Sequence, residues 1–274
     1  MANSDGNMVS ISLDTDHSFR QRLAFYLDLG RALVVRDFRG RYRRSLLGIW
    51  WVFLQPIFYL VVFNVIKGAF EVRTNGVPYV IFAYSALVPW SFFSATVTAG
   101  ASSVRQNSEI LMKMAVSKEL FPLVGLVGAL INFVVAALIL VPVMIWYDAP
   151  IGWALLWLLP LTLLLGWLAF IVAMAFASIG TYKDDIRFAL PYIMQAGLLA
   201  SPIIYGTLVV PEKWRVLYQL NPLVGIIEGY RSVLTQGVAP DGHMLLISVV
   251  VTAVISCVVW PVFRRMSRYF TDYM

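Results

Sequence analysis

Five arginines and one aspartate stand within RDFRGRYRR (36–44), directly before two tryptophans and an uncharged apolar stretch. A guanidinium is a planar fork of donors that suits phosphate oxygens, so such a cluster can hold an anionic headgroup. It can equally fix the orientation of a membrane span that follows it. Arg41, Arg43 and Arg44 lie one turn or less before the apolar stretch and are the candidates for the first role. The two roles do not exclude each other. A second charged segment is 101–119, where Arg105, Glu109 and Lys113 recur four residues apart. On a helix these make opposite-charge neighbours, which suits either a solvated loop helix or a helix that docks onto a partner. A third, GTYKDDIRF (180–188), is short and charged, with Lys183, Asp184 and Asp185 together.

Other chemistries lack their residues. Cys257 is the single cysteine, which excludes an intramolecular disulfide and a cysteine-based metal site. His17 and His243 are far apart and have no ligand pattern around them, so no metal is expected. No Gly-Lys dipeptide occurs, hence no Walker A phosphate loop, and neither HExxH nor GxSxG is present. All fifteen acidic residues fall in loops, flanks or terminal segments. An ion-driven carrier needs ionisable or specialised polar groups at membrane depth, so that class is disfavoured. Energy for transport would come from a separate subunit.

The elements that carry these residues are apolar. The chain has 274 residues, of which 60% are hydrophobic and 13% charged, with a mean hydropathy of +0.77. A soluble domain carries about a quarter charged residues. Uncharged runs cover 45–66, 74–104, 120–147, 149–182, 188–211 and 244–263. Each is long enough to cross a core of roughly 30 Å as a helix. WYDAPIGW (146–153) reads as the interfacial turn between the third and fourth runs. If the N-terminus is cytoplasmic, sixteen of the 21 basic residues lie inside, so both termini are expected there. The net charge of +6 flanks apolar runs, which argues for topology signals and against nucleic acid. Residues 1–18 are polar, without the apolar core of a signal peptide.

Two segments do not span. Residues 18–35 place Phe19, Leu23, Tyr26, Leu27, Leu33 and Val34 broadly on one side of a helix, with Arg20, Asp28 and Arg31 on the other. Such a helix lies in the membrane interface. Residues 206–243 are too interrupted to span: Pro211 suits a helix start and Asn221-Pro222 breaks it, leaving a second short helix over about 223–235. The pattern is a helical hairpin dipping into the outer leaflet.

Several stretches together resemble one family. They are RDFRGRYRRSLLGIWWVFLQPIFYLVVF (36–63), LMKMAVSKELFPL (111–123), YKDDIRFALPYIMQ (182–195), SPIIYG (201–206), VPEKWRVLYQLNPLVGIIEGYRSVL (210–234) and FRRMSRYF (263–270). Over about 18–270 the chain resembles the permease subunit of an ABC exporter for lipid-linked polysaccharide: O-antigen, capsule or teichoic acid, with the O-antigen branch nearest. The resemblance implies an all-α membrane protein with six spans, an N-terminal interface helix, a hairpin between spans 5 and 6, and both termini cytoplasmic. Its parts would be a polar tail (1–17), the interface helix and basic segment (18–44), the six-span domain (45–263) and a C-terminal tail (264–274). It further implies a homodimer around a central pore, two copies of an ATPase subunit carrying ATP and Mg, no cofactor in this chain, and an undecaprenyl-diphosphate-linked polymer as cargo in a bacterial inner membrane.

Residues 105–116 would be the main coupling helix and 182–188 a lesser one, making Arg105, Glu109, Lys113, Lys183, Asp184 and Asp185 the contacts to the ATPase. The hairpin 210–236 would be the outer gate, with Trp214, Tyr218 and Tyr230 on it. Sugar rings slide over flat apolar surfaces with polar tips. The pore-lining candidates are therefore Trp50, Trp51, Phe53, Tyr59 and Phe63 on the first span and Tyr192 and Tyr205 on the fifth. Packing or an interfacial belt is the alternative for each. Gln55-Pro56 marks either a gating kink or a static one. A permease for another cargo (lipid or drug included) and a membrane-embedded polyprenyl-lipid transferase are the rival readings, the latter without the acidic or histidine cluster it would need.

Overall fold

The computed structural model describes residues 19–42, 45–69, 76–114, 116–183, 185–207 and 210–270. Among these residues every regular element is a helix. In chain order they are α1 (Phe19–Tyr42), α2 (Trp51–Ala69), α3 (Tyr79–Gln106), α4 (Ser108–Lys113), α5 (Leu120–Trp146), α6 (Leu158–Tyr182), α7 (Asp185–Leu199), α8 (Glu212–Gln219), α9 (Pro222–Arg231) and α10 (Gly242–Ser267).

α3 is the central helix. Apolar on nearly every face from Tyr79 to Trp90, it is buried on nearly every face, as a helix without a polar side must be. It packs along α5 on one side and α6 on another. Small residues let these backbones approach: a Cβ added at Gly100 would come within 2.5 Å of the Ala173 Cβ on α6. The outside is apolar too. Leu138 and Ile145 of α5 and Leu246, Val250, Val254 and Val258 of α10 are all exposed. Such surfaces are stable against hydrocarbon or another apolar chain.

Four helical segments are long and apolar enough to cross a membrane: α3, α5, Trp153–Tyr182 and α10. They correspond to the expected spans 74–104, 120–147, 149–182 and 244–263. The turn expected between the second and third of these lies at Tyr147–Asp148, where Asp148 has φ of 50°. The other two runs depart from expectation. In 45–66 the chain bends, forms a short 3-10 turn at Gly48–Trp50 (Gly48 φ 52°) and only then enters α2. In 188–211 the helix stops at Leu199. Its 15 residues rise only about 22 Å. The chain then turns through Ala200–Thr207, where Pro202 has no N–H to continue a helical ladder. Apolarity persists through that turn, so an uncharged run does not reveal it.

The expected hairpin is α8 and α9, extended by a π-helical turn at Ser232–Gln236. Asn221 caps α9, its side-chain oxygen accepting from the Leu223 N–H at 3.1 Å, with Pro222 in the first turn. At the opposite end of the bundle a second core gathers Leu33 of α1, Leu111 of α4, Phe121 of α5, Met174 of α6 and the chain's Phe263 and Phe270. The apolar side of α1 divides: Leu33 is buried there and Tyr26 and Val34 pack against it, whereas Leu23 and Leu27 stay exposed.

Candidate functional site

Between α1, α2, α3 and α5 runs a cleft of about 810 Å³. Its α3 wall carries Ser91, Ser94, Thr98 and Ser102, which recur at helical spacing and so share one face. Gln55 and Tyr59 of α2 and Trp90 of α3 also line it. The hydroxyls are partly engaged with their own helix: Ser102 Oγ donates to the Thr98 and Ala99 carbonyls and accepts from Gln106 Nε2 at 3.0 Å. A smaller adjoining hollow shares Gln55, Tyr59 and Ser91 and reaches Asn132 of α5. Pro56 borders this hollow and is buried, and α2 runs through it without interruption.

The cleft ends at the α1 end of the bundle, where Arg36 and Asp37 line it. Arg36 donates from Nε and Nη2 to Asp37 Oδ1 at 2.9 and 2.7 Å. Its Nη2 also reaches Asn107 Oδ1 at 2.6 Å. Asn107 is buried at the joint between α3 and α4, and its Nδ2 donates to the Ser103 carbonyl at 2.7 Å. The expected coupling helix is therefore broken: Arg105 ends α3, whereas Glu109 and Lys113 lie on α4, both exposed, with Leu111 buried behind them. The same end is tied to the tail of α10 by three contacts. Lys118 Nζ donates to the Ser267 carbonyl at 2.6 Å, Tyr182 Oη donates to the Met266 carbonyl at 2.9 Å, and Arg264 lies 3.7 Å from Glu119.

The hairpin end is organised by an ion pair. Arg231, 3% exposed, donates from Nη1 to Glu228 Oε1 at 2.7 Å. Its other nitrogens reach the carbonyls of Pro202, Ile203 and Phe82, and the guanidinium stacks 3.8 Å from the centre of the Phe82 ring. Glu228 also accepts the Thr207 N–H at 3.3 Å. The non-helical turn 200–207 leaves backbone groups that no ladder satisfies, and the pair supplies their partners. Burial pulls the Arg231 guanidinium below its ordinary value, and the Glu228 carboxylate opposes that shift. α9 approaches α10 closely: a Cβ at Gly225 would lie 2.4 Å from the Met244 carbonyl oxygen.

The sequence candidates fall into these regions unevenly. Tyr59 lines the cleft. Trp50, Trp51 and Phe53 are exposed around the start of α2, and Tyr192 is exposed on α7. Tyr205 donates to the Leu199 carbonyl at 2.7 Å, with its ring 6.5 Å from that of Tyr218. Trp214 is exposed on α8. Tyr230 is buried within the bundle, its hydroxyl 2.6 Å from Thr162 Oγ1, and so is set apart from Trp214 and Tyr218. Lys183 and Asp185 flank the joint of α6 and α7, both exposed. Arg41 ends α1 with its side chain outside the described residues, as is that of Phe63 in α2; Arg43, Arg44 and Asp184 lie outside them altogether.

Sequence reasoning missed the hydroxyl row on α3, although its one-sided spacing inside an apolar run was the signal. It also missed Glu228–Arg231, whose signal was two opposite charges three residues apart in an otherwise apolar helix. Among the described residues no three His, Cys, Asp or Glu side chains cluster to hold a metal.

Among the described residues, a helical bundle with four helices long and apolar enough to cross a membrane, a cleft and a returning hairpin has the form of a polytopic membrane chain. Residues 29–235 match the ABC-2 type transporter family, and the chain belongs to it. This is the family expected from the sequence. The chain is 25% identical over 251 residues to the O-antigen export system permease protein RfbA of Myxococcus xanthus, covering 90% of this chain and 95% of the relative. It is 23% identical over 221 residues to RfbA of Klebsiella pneumoniae (80% and 84% covered) and 22% identical over 222 residues to the polysialic acid transport protein KpsM of Escherichia coli (78% and 84%). The chain is thus a multi-pass membrane permease of the kind found among polysaccharide exporters. ABC-2 permeases are transporter chains that work with an ATPase partner.

Proposed function

We propose that this chain is the permease of an ATP-driven exporter that moves an O-antigen polysaccharide on an undecaprenyl diphosphate carrier across the bacterial inner membrane. Two copies form the pore and two ATPase chains drive it. The observation that carries the reading is the cleft: hydroxyls on α3, an amide on α2 and aromatic side chains make one continuous wall that ends at a charged mouth. Weak, repeated hydrogen bonds and ring stacking let a hydroxylated polymer move, where a single tight site would trap it.

In this reading α2, α3, α5, Trp153–Tyr182, α7 and α10 are the six spans. The α1 end faces the cytoplasm, with both termini on that side. α7 is short for a span, and the turn after it is tolerated because Arg231 and Glu228 satisfy its backbone. α1 lies in the inner interface, with Leu23 and Leu27 entering the headgroup boundary. α4, with Glu109 and Lys113 outward, meets the ATPase, and Lys183 and Asp185 form a lesser contact. The α8–α9 hairpin closes the outer side, with Tyr205, Trp214 and Tyr218 at the gate. Arg41, Arg43 and Arg44 hold the carrier diphosphate, together with the cleft mouth. No step breaks a covalent bond in this chain.

The test is affinity purification of the tagged chain from native membranes in mild detergent. A Walker-containing ATPase is expected to co-purify in equal stoichiometry. Recovery of the chain with no ATPase, under conditions that keep the homodimer, contradicts the reading.

A further inference from the structure

Arg36 stands where two openings of the structure meet. An open groove of about 970 Å³ runs along α1, lined by Arg31, Arg36, Arg39 and Asp28. Arg36 and Gly40 line both this groove and the cleft. An anion travelling along the basic side of α1 toward the cleft therefore passes the Arg36 guanidinium. The same guanidinium holds Asn107 Oδ1 at 2.6 Å, across 71 residues of sequence, at the joint where α3 gives way to α4. One side chain thus touches the entry route and the base of the helix that faces the ATPase.

The two ends of this contact differ in how easily they change. The Arg36 side chain is 50% exposed and its Asp37 partner 41%. An exposed ion pair of this kind is weak, so Arg36 is redirected at low cost. Asn107 is only 4% exposed, and Arg36 is the side chain that satisfies its oxygen. A phosphate is a stronger acceptor than a neutral amide, because charge-assisted hydrogen bonds are roughly twice as strong as neutral ones. When Arg36 turns to a phosphate, Asn107 Oδ1 loses this donor while its Nδ2 stays on the Ser103 carbonyl, and a buried acceptor without a donor is unfavourable. The joint must then rearrange, and α4 hangs directly from it.

We infer that Arg36 and Asn107 form a relay that reports a phosphate-bearing lipid at the cleft mouth to α4, and so to the ATPase. This rests on the reading above that α4 meets an ATPase and that the cargo carries a diphosphate. Arg36 acts here as a ligand-binding residue and Asn107 as a positioning residue that never touches the ligand.

The experiment uses the full transporter with its ATPase, reconstituted in phosphatidylethanolamine–phosphatidylglycerol vesicles with and without undecaprenyl diphosphate. Each variant's ATPase rate with the lipid is divided by its own rate without it, and binding of the lipid is measured separately by equilibrium titration. The wild type is expected to be stimulated by the lipid. Arg36→Ala loses both tight binding and stimulation. Asn107→Ala keeps binding within about twofold and loses stimulation, a split that a purely structural role would not give. Asn107→Asp, which grips Arg36 more firmly while giving up the Nδ2 bond to the Ser103 carbonyl, raises the half-stimulating concentration at least about fivefold. Arg39→Ala weakens binding and leaves maximal stimulation in place. Stimulation retained by both alanine variants at positions 36 and 107 overturns the relay and leaves the proposed function intact. Stimulation lost at Arg36 and kept in Asn107→Ala also overturns it, reducing Arg36 to a binding residue. A wild-type complex that assembles with its ATPase yet ignores undecaprenyl diphosphate overturns the diphosphate cargo and the relay together.

Discussion

Arg231 is a charged side chain buried to 3% exposure, and its surroundings account for it. Three backbone carbonyls, the Glu228 carboxylate and the Phe82 ring face the guanidinium. Removing one partner of a buried ion pair costs about 3–5 kcal/mol, because the other charge is left uncompensated. Arg231→Ala is expected to destabilise the chain by about that much, read as a lowered thermal midpoint in detergent, and to loosen the hairpin from α3. An unchanged midpoint would remove the pair from the framework. The sequence displayed both charges, but their partners lie 28 and 149 residues away, and no local pattern carries such a distance. Tyr230 gives the converse case. One turn before it lie Ile226 and Ile227 and one turn after it Val233 and Leu234, all apolar, so periodicity could not tell a gate-facing tyrosine from one held by Thr162 inside the bundle.

At the scale of elements, α3, α5, α6 and α10 were legible because each is a long uncharged run, and burial in lipid or protein asks for nothing else. The helix now seen as α1 was legible from the spacing of its apolar residues, and α8 and α9 from Pro211 and Asn221-Pro222. The end of α7 was not, since the turn at 200–207 is as apolar as the helix before it and is held by long-range bonds. The break at Asn107 was also hidden: the four-residue spacing of Arg105, Glu109 and Lys113 suits one helix, whereas the chain makes two. Glu109 and Lys113 nevertheless share the exposed surface of α4 while Leu111 anchors it. Reversing both charges (Glu109→Lys with Lys113→Glu) leaves that anchor alone. The expected result is an intact fold, by thermal midpoint, with ATP turnover uncoupled from export and export reduced at least about fivefold, in line with a lost site-to-site coupling. Unchanged export would detach α4 from the mechanism.

At the scale of the molecule, the chain has a cleft and two differently built ends, and it belongs to a family that works with an ATPase partner. It carries no Walker loop, and its basic residues gather at the end where α1, α4 and the tail of α10 are bonded together. In the proposed function the hydroxyl-lined cleft takes a sliding polymer and the charged mouth takes the phosphate that precedes it. The most direct measurement is export in sealed vesicles containing the purified chain, its ATPase partner and a lipid-linked O-polysaccharide. Transfer of polymer to the far side is expected to require ATP and to vanish when the partner's Walker lysine is replaced. Transfer by the chain alone under an ion gradient, or transfer that survives the loss of that lysine, would contradict the account.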